Sequence, residues 1–80
     1  MKIQIELVRV VTKIDGTIIN LEYEVRLLPS IAVIRRCATL KEAEELFNGA
    51  SRQIDFIEAY GKSAYERMHL TEFIPLSWFK

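Results

Sequence analysis

The sequence predicts an α+β fold, in which a small, mostly antiparallel sheet carries one long helix on one face, in the order β-β-β-α-β. Two patterns predict this fold. Apolar and polar residues alternate along most of the first 28 residues, which is the period of half-buried strands. Between residues 40 and 57, apolar residues recur at spacings of three and four, which is the period of an amphipathic helix. A chain of 80 residues is long enough for one domain and too short for two, so residues 1–80 are predicted to form a single domain.

The first two strands are predicted to form a hairpin around Asp15-Gly16. A two-residue loop would place the apolar sets of the two strands on opposite sides of the sheet, because a shift of one residue exchanges the faces of a strand. A three-residue loop, residues 14–16, places them on the same side and gives Gly16 the left-handed conformation that its third position favours. We therefore expect the three-residue loop, with these pairs across the hairpin: Lys13 and Thr17, Val11 and Ile19, Leu7 and Tyr23, Ile5 and Val25, Ile3 and Leu27.

A third strand and a long helix are predicted next. Residues 31–34, Ile-Ala-Val-Ile, form a short apolar run that is typical of a buried strand. Thr39 and Glu42 have the spacing of a capping box, which predicts a helix start, and Gly61 is a natural helix end. Asn48-Gly49 could interrupt this helix, but the apolar stripe continues through it in phase. One helix is therefore expected.

The last 20 residues are predicted to contain a helical turn and a strand. A second capping-box spacing, between Ser63 and Glu66, predicts a single helical turn. Apolar residues then alternate from Leu70 to Trp78, which predicts a final strand, and Pro75 would confine it to a sheet edge or a bulge.

Composition limits the class of protein. The formal net charge is zero, so no overall field attracts the chain to nucleic acid or to an anionic membrane. The single cysteine, Cys37, cannot form an internal disulfide, and with the single histidine, His69, it cannot build a Cys/His metal cage. No apolar run resembles a signal peptide or a membrane span. We expect a soluble cytoplasmic protein that binds no membrane, metal or cofactor.

Catalytic motifs are missing from the sequence. It contains no glycine-rich phosphate loop, no nucleophile elbow and no metalloprotease motif. Cys37 and His69 could pair as nucleophile and base, but Cys37 follows an apolar strand and is better interpreted as a packing residue. We therefore expect a protein that is not an enzyme.

Nucleic-acid binding is an alternative function. Arg35-Arg36 is the densest basic position, and it could contact phosphates together with other basic residues while nearby aromatic rings stack on bases. The acidic helix and the neutral chain argue against this function. The candidate phosphate contacts are Arg26, Arg35, Arg36, Lys62 and Arg67.

The favoured function is protein interaction, through apolar surface that one helix cannot cover. Such surface typically marks contacts between proteins, and a small domain gains stability by associating. We therefore expect an interaction or adaptor domain that forms a homodimer and could bind another protein. The candidate interface residues are Val8, Val10 and Ile18 on the outer face of the hairpin, Phe56 and Tyr60 on the helix, and Trp78 and Phe79 near the C-terminus.

Overall fold

The computed structural model describes residues 3–29 and 32–79 and confirms the α+β fold. Three strands, β1 (Gln4–Ile14), β2 (Thr17–Leu28) and β3 (Ala32–Cys37), form an antiparallel sheet in the order β1-β2-β3. Two helices follow, α1 (Leu40–Tyr60) and the short α2 (Lys62–Arg67). Ile31, which was expected to begin the third strand, lies outside the described residues.

The predicted final strand is wrong. Among the described residues of the C-terminal segment, 70–79, the only regular element is one turn of 3-10 helix, Leu76–Trp78. The alternation that predicted a strand has another cause, because Ile74 belongs to the core and Leu76 packs against it although neither lies in a strand. The helical turn predicted from Ser63 forms as α2.

The hairpin has a different register from the predicted one. Its loop contains two residues, Asp15 and Gly16, which both have positive φ, and Ile14 pairs directly with Thr17. An irregularity between Thr12 and Lys13 then leaves one extra residue, Ile19, on β2. We identify it as a β-bulge. From there the pairs are Val11 with Leu21, Arg9 with Tyr23, Leu7 with Val25 and Ile5 with Leu27, each shifted by two residues from the prediction.

The bulge explains why the face argument predicted the faces correctly and the loop incorrectly. A two-residue loop alone puts the apolar sets on opposite faces, as the prediction assumed. The extra residue on β2 reverses this effect, so Leu7 and Val25 share one face after all. The positive φ predicted for Gly16 is confirmed at 80°.

Helix α1 covers one face of the sheet, called here the helix-side face. Its first half packs with Val25 and Cys37, and its second half packs with Leu27. The predicted cap is present, since the backbone N–H of Glu42 donates to Thr39 Oγ1 over 3.2 Å. The helix therefore starts near Tyr23 and Cys37 and runs away from the hairpin loop.

The C-terminal segment is held on α1 by Gly49 and Gln53. The ring of Phe73 sits directly on Gly49, where an added Cβ would lie 2.5 Å from it, and α1 passes through this glycine unbroken, as predicted. The buried Gln53 side chain donates to Ile74 O over 2.8 Å and accepts from the N–H groups of Phe73 and Ile74 over 2.9 and 2.8 Å. One amide thus replaces the backbone partners that a strand would have supplied.

Tyr65 of α2 forms the other anchor of this segment. Its hydroxyl donates to the carbonyl oxygen of Thr71. Burial, and to a lesser extent the charge of Glu72, raises the pKa of the Tyr65 phenol and so favours the protonated form that donates this hydrogen bond. The segment is therefore fixed to both helices.

Candidate interaction surface

A hairpin arm projects beyond the rest of the molecule. We define the arm as residues 10–22, the part of the hairpin that lies past the last pair between β2 and β3, Tyr23 with Cys37. At about 3.4 Å per residue the arm extends roughly 20 Å. Its projection accounts for the elongated dimensions, 50 × 24 × 16 Å, and for a radius of gyration of 14.7 Å, against about 12 Å for a compact chain of this length.

The arm exposes large apolar side chains. A hairpin of two strands without a third strand or a covering helix is marginally stable in water, and here neither covers the arm. Five of its apolar residues have exposed fractions from 36% to 58%, namely Val11, Ile14, Ile18, Ile19 and Leu21, and the sixth, Val10, is half-buried.

Three of these residues share the helix-side face. Val11 pairs with Leu21 two positions beyond the Arg9–Tyr23 pair, so both continue the face that α1 covers closer to the body. Ile18 pairs with Lys13, which is two further positions along β1. The bulge therefore puts Ile18 on the helix-side face, and its predicted place beside Val8 and Val10 on the outer face is wrong.

The other predicted interface residues lie off the helix-side face of the arm. Val8 and Val10 are half-buried on the face opposite the helix-side face, called here the open face. Phe56 is half-buried on α1, with its ring 4.9 Å from that of Tyr60 and 5.5 Å from that of Tyr65. Tyr60 and Trp78 are exposed, as expected.

Phe79 is a correction to the predicted interface. It is buried in the core with Ala50 and Ile54, because the C-terminal segment folds back over α1. A residue that already fills the core of its own chain is unavailable to a partner.

The open face of the sheet carries a charged cluster at its centre. The Glu24 side chain is only 8% exposed, with Oε2 3.5 Å from Arg26 Nη2 and Oε1 3.9 Å from Arg36 Nε. Within the described parts of the chain, Glu24 Oε2 and Arg26 Nε are buried without a hydrogen-bond partner. The two arginines partly neutralise a carboxylate that the neighbouring side chains have removed from water.

The residues predicted to contact phosphates do not form one surface. Arg26 and Arg36 lie on the open face and are paired with Glu24. Arg35 lines a groove next to Cys37, between β3 and the start of α1. Lys62 and Arg67 belong to α2, which packs on α1 on the other side of the sheet, and Lys62 Nζ donates to Phe79 O over 3.5 Å.

Cys37 and His69 have the environments of structural residues. Cys37 is buried in the core with Val25 and Leu46, which confirms its interpretation as a packing residue. Burial is the main cause that raises the pKa of its thiol, Glu42 raises it further, and Arg35 opposes them. His69 is exposed, at a turn after α2, and lines a different groove from Cys37.

Charges of opposite sign lie on the helix-side face of the hairpin and at the start of α1. The helix-side face of the hairpin carries Arg9 and Lys13. The first two turns of α1 carry three glutamates and one lysine, a net charge of −2: Lys41, Glu42, Glu44 and Glu45. In residues 3–29 and 32–79, the only ion pairs are those of Glu24, so both groups of charges are without an ionic partner in the monomer.

The lengths of the predicted strands contain a signal for the arm that the pattern of apolar faces does not contain. The first two strands were each predicted to be more than twice as long as the third, residues 31–34, so their ends must extend past it. Four of the five exposed apolar residues of the arm were not predicted as interface residues for this reason.

In the described ranges, neither helix is both long enough and apolar enough to span a bilayer. Searches against protein-family models, curated proteins and solved structures found no match to this chain.

Proposed function

We propose that this protein is a non-enzymatic interaction domain that self-associates through its hairpin arm. The observation that carries the proposal is the row of exposed apolar side chains on the helix-side face of the arm, Val11, Ile18 and Leu21. Isolated exposed apolar residues are normal on a protein surface, but a contiguous group marks a contact site.

The architecture gives a reason for this exposure. Helix α1 covers the sheet up to Tyr23 and Cys37 and starts short of the arm, so the arm lacks the second layer that a sheet needs. A two-stranded ribbon gains stability when another surface supplies that layer. A partner that supplies this second layer over the arm would complete the fold, and the contact would require no binding pocket.

The size of the surface predicts a weak association. Full burial of a Val, Leu or Ile side chain contributes about 1.5–3 kcal/mol, so covering the exposed part of each contributes roughly 1 kcal/mol. A two-fold contact that covers the three side chains in both copies would contribute roughly 6 kcal/mol, near the lower end of the roughly 4–15 kcal/mol cost of association. At the lowest cost these contacts alone leave roughly 2 kcal/mol, whereas a Kd of about 1 mM requires about 4 kcal/mol, so a dimer that forms below about 1 mM needs further contacts beyond these three side chains.

Sedimentation velocity from about 1 µM to about 1 mM protein tests the proposal. The wild type should shift from monomer to dimer over this range. The triple variant Val11→Thr, Ile18→Thr, Leu21→Thr should remain monomeric, because threonine keeps the strand propensity of the arm and removes apolar surface.

The matched control is Val33→Thr, on the open face. Val33 is 38% exposed, close to the 36% of Val11, and lies outside the arm. This variant should dimerise like the wild type. A wild type that stays monomeric throughout, or a triple variant that still dimerises, would refute the proposal.

A further inference from the structure

We infer that each arm covers the uncovered part of the helix-side face in a second copy, with its tip against the start of the partner's α1. This inference rests on the proposed function, and it specifies how the two copies are arranged. The tip is the end of the arm that carries Lys13, the loop and Ile18.

The layer structure of the monomer allows this arrangement. Helix α1 lies over the half of the sheet that contains Ile5, Leu7, Val25 and Leu27, and the other half, in the arm, is uncovered. Stacked sheets pack about 10 Å apart, so an arm from a second copy can lie face to face on this arm and take the layer that α1 occupies over the body.

A two-fold axis that runs across the strands, between the two arms, relates the copies. The arms are then antiparallel, so the tip of one arm points toward the body of the other copy and ends at the start of α1. Leu40, the first residue of α1, is exposed there and can contact the apolar tip. Each copy gives and receives the same contact, which closes the dimer.

Charge complementarity favours a second copy as the partner. The helix-side face of the hairpin is basic and the start of α1 is acidic, and both groups of charges are without an ionic partner among the described residues. The proposed arrangement brings Lys13 of one copy to the acidic start of α1 in the other copy. Opposite charges placed in this way orient an interface and disfavour other registers.

Glu44 is the glutamate best placed to meet Lys13 of the other copy. Ser51, on the side of α1 that faces the edge of β1, lines a groove with Ile3 and Ile5. Glu44 lies seven residues before Ser51, which is about two helical turns, so it is on the same side. The two-fold axis places β1 over the β1 of the other copy, so Lys13 approaches this side of α1.

A charge-reversal cycle tests the inference. Lys13→Glu alone and Glu44→Lys alone should each weaken dimerisation roughly tenfold, because each turns an attraction into a repulsion at two equivalent places in the dimer. The variant that carries both changes should recover wild-type dimerisation to within roughly threefold. Raising the salt concentration should reduce the loss in each single variant.

Glu58→Lys is the matched control, since it makes the same change of charge on an exposed residue near the other end of α1. It should leave dimerisation unchanged, and circular dichroism should show the same fold in all four variants. Recovery in the double variant would support the inference.

A wild-type dimer that depends on Val11, Ile18 and Leu21 but does not respond to Lys13→Glu would overturn this arrangement and leave the proposed function intact. A double variant that fails to recover would overturn it equally. A wild type that stays monomeric to about 1 mM would overturn both proposals.

Discussion

Replacing Gln53 with leucine should lower the free energy of unfolding by about 3 kcal/mol. The Gln53 side chain is 1% exposed and makes three hydrogen bonds to the backbone of Phe73 and Ile74, of 2.8, 2.9 and 2.8 Å. Leucine keeps most of the volume but leaves two N–H groups and one carbonyl without partners, and each such group costs about 1–3 kcal/mol when it stays buried. We take the lower value for each group, because local opening lets water reach some of them.

The predicted loss is a large part of the stability of a domain of this size. At about 0.05–0.15 kcal/mol per residue, 80 residues have a free energy of unfolding of roughly 4–12 kcal/mol. A loss of 3 kcal/mol should lower Tm by roughly 12–24 °C.

Urea unfolding followed by two signals is the appropriate assay. Far-UV circular dichroism reports the whole fold, and the fluorescence of Trp78, the only tryptophan, reports the C-terminal segment. Gln4→Leu is the control, since Gln4 is an exposed glutamine on β1. If Gln53→Leu unfolds within about 1 kcal/mol of the wild type by both signals, the Gln53 amide does not hold the segment.

Three further predictions concern other parts of the chain. Gly49→Ala should destabilise the protein by about 1–3 kcal/mol in thermal unfolding, because the Cβ of alanine would overlap the ring of Phe73. Alanine favours a helix over glycine, so a variant as stable as the wild type or more stable would contradict this packing. The buried thiol of Cys37 should react with a disulfide reagent much more slowly in the native protein than in urea, and fast labelling of the native protein would contradict its burial. The pKa of this thiol is raised in the folded protein, so ionisation favours the unfolded chain and the free energy of unfolding should fall as the pH rises past about 9. Gel-shift assays at two salt concentrations should show no salt-sensitive binding of DNA or RNA, whereas binding that is lost in Arg35→Ala, Arg36→Ala would support the alternative function.

The regular elements could be predicted because each depends on neighbours along the chain. The cap at Thr39 involves Glu42, three residues away, and the helix stripe repeats every three or four residues. The alternation in β1 and β2 likewise predicted which side chains face the core.

The arrangement of the C-terminal segment could not be predicted in this way. Gln53 contacts backbone groups 20 and 21 residues away, and backbone groups leave no mark in a sequence. Gly49 was considered a possible break, because a glycine that makes room for a distant ring looks the same in the sequence as one that ends a helix. The arm was predictable from strand lengths, but the face of Ile18 was not, since a bulge has no reliable sequence pattern.

The bulge at Ile19 also determines which insertions and deletions the hairpin can tolerate. Removing Ile19 alone would leave the Asp15-Gly16 loop and the pairs from Lys13 with Ile18 to Leu7 with Val25 in place, because Ile19 has no partner on β1. Removing one residue of β1 between Leu7 and the loop would instead shift the pairs by one residue unless β2 carried a second extra residue, and such a shift exchanges the faces of one strand. Single deletions in the arm should therefore be tolerated on β2 and rejected on β1, so the bulge gives the two strands unequal tolerance to changes of length.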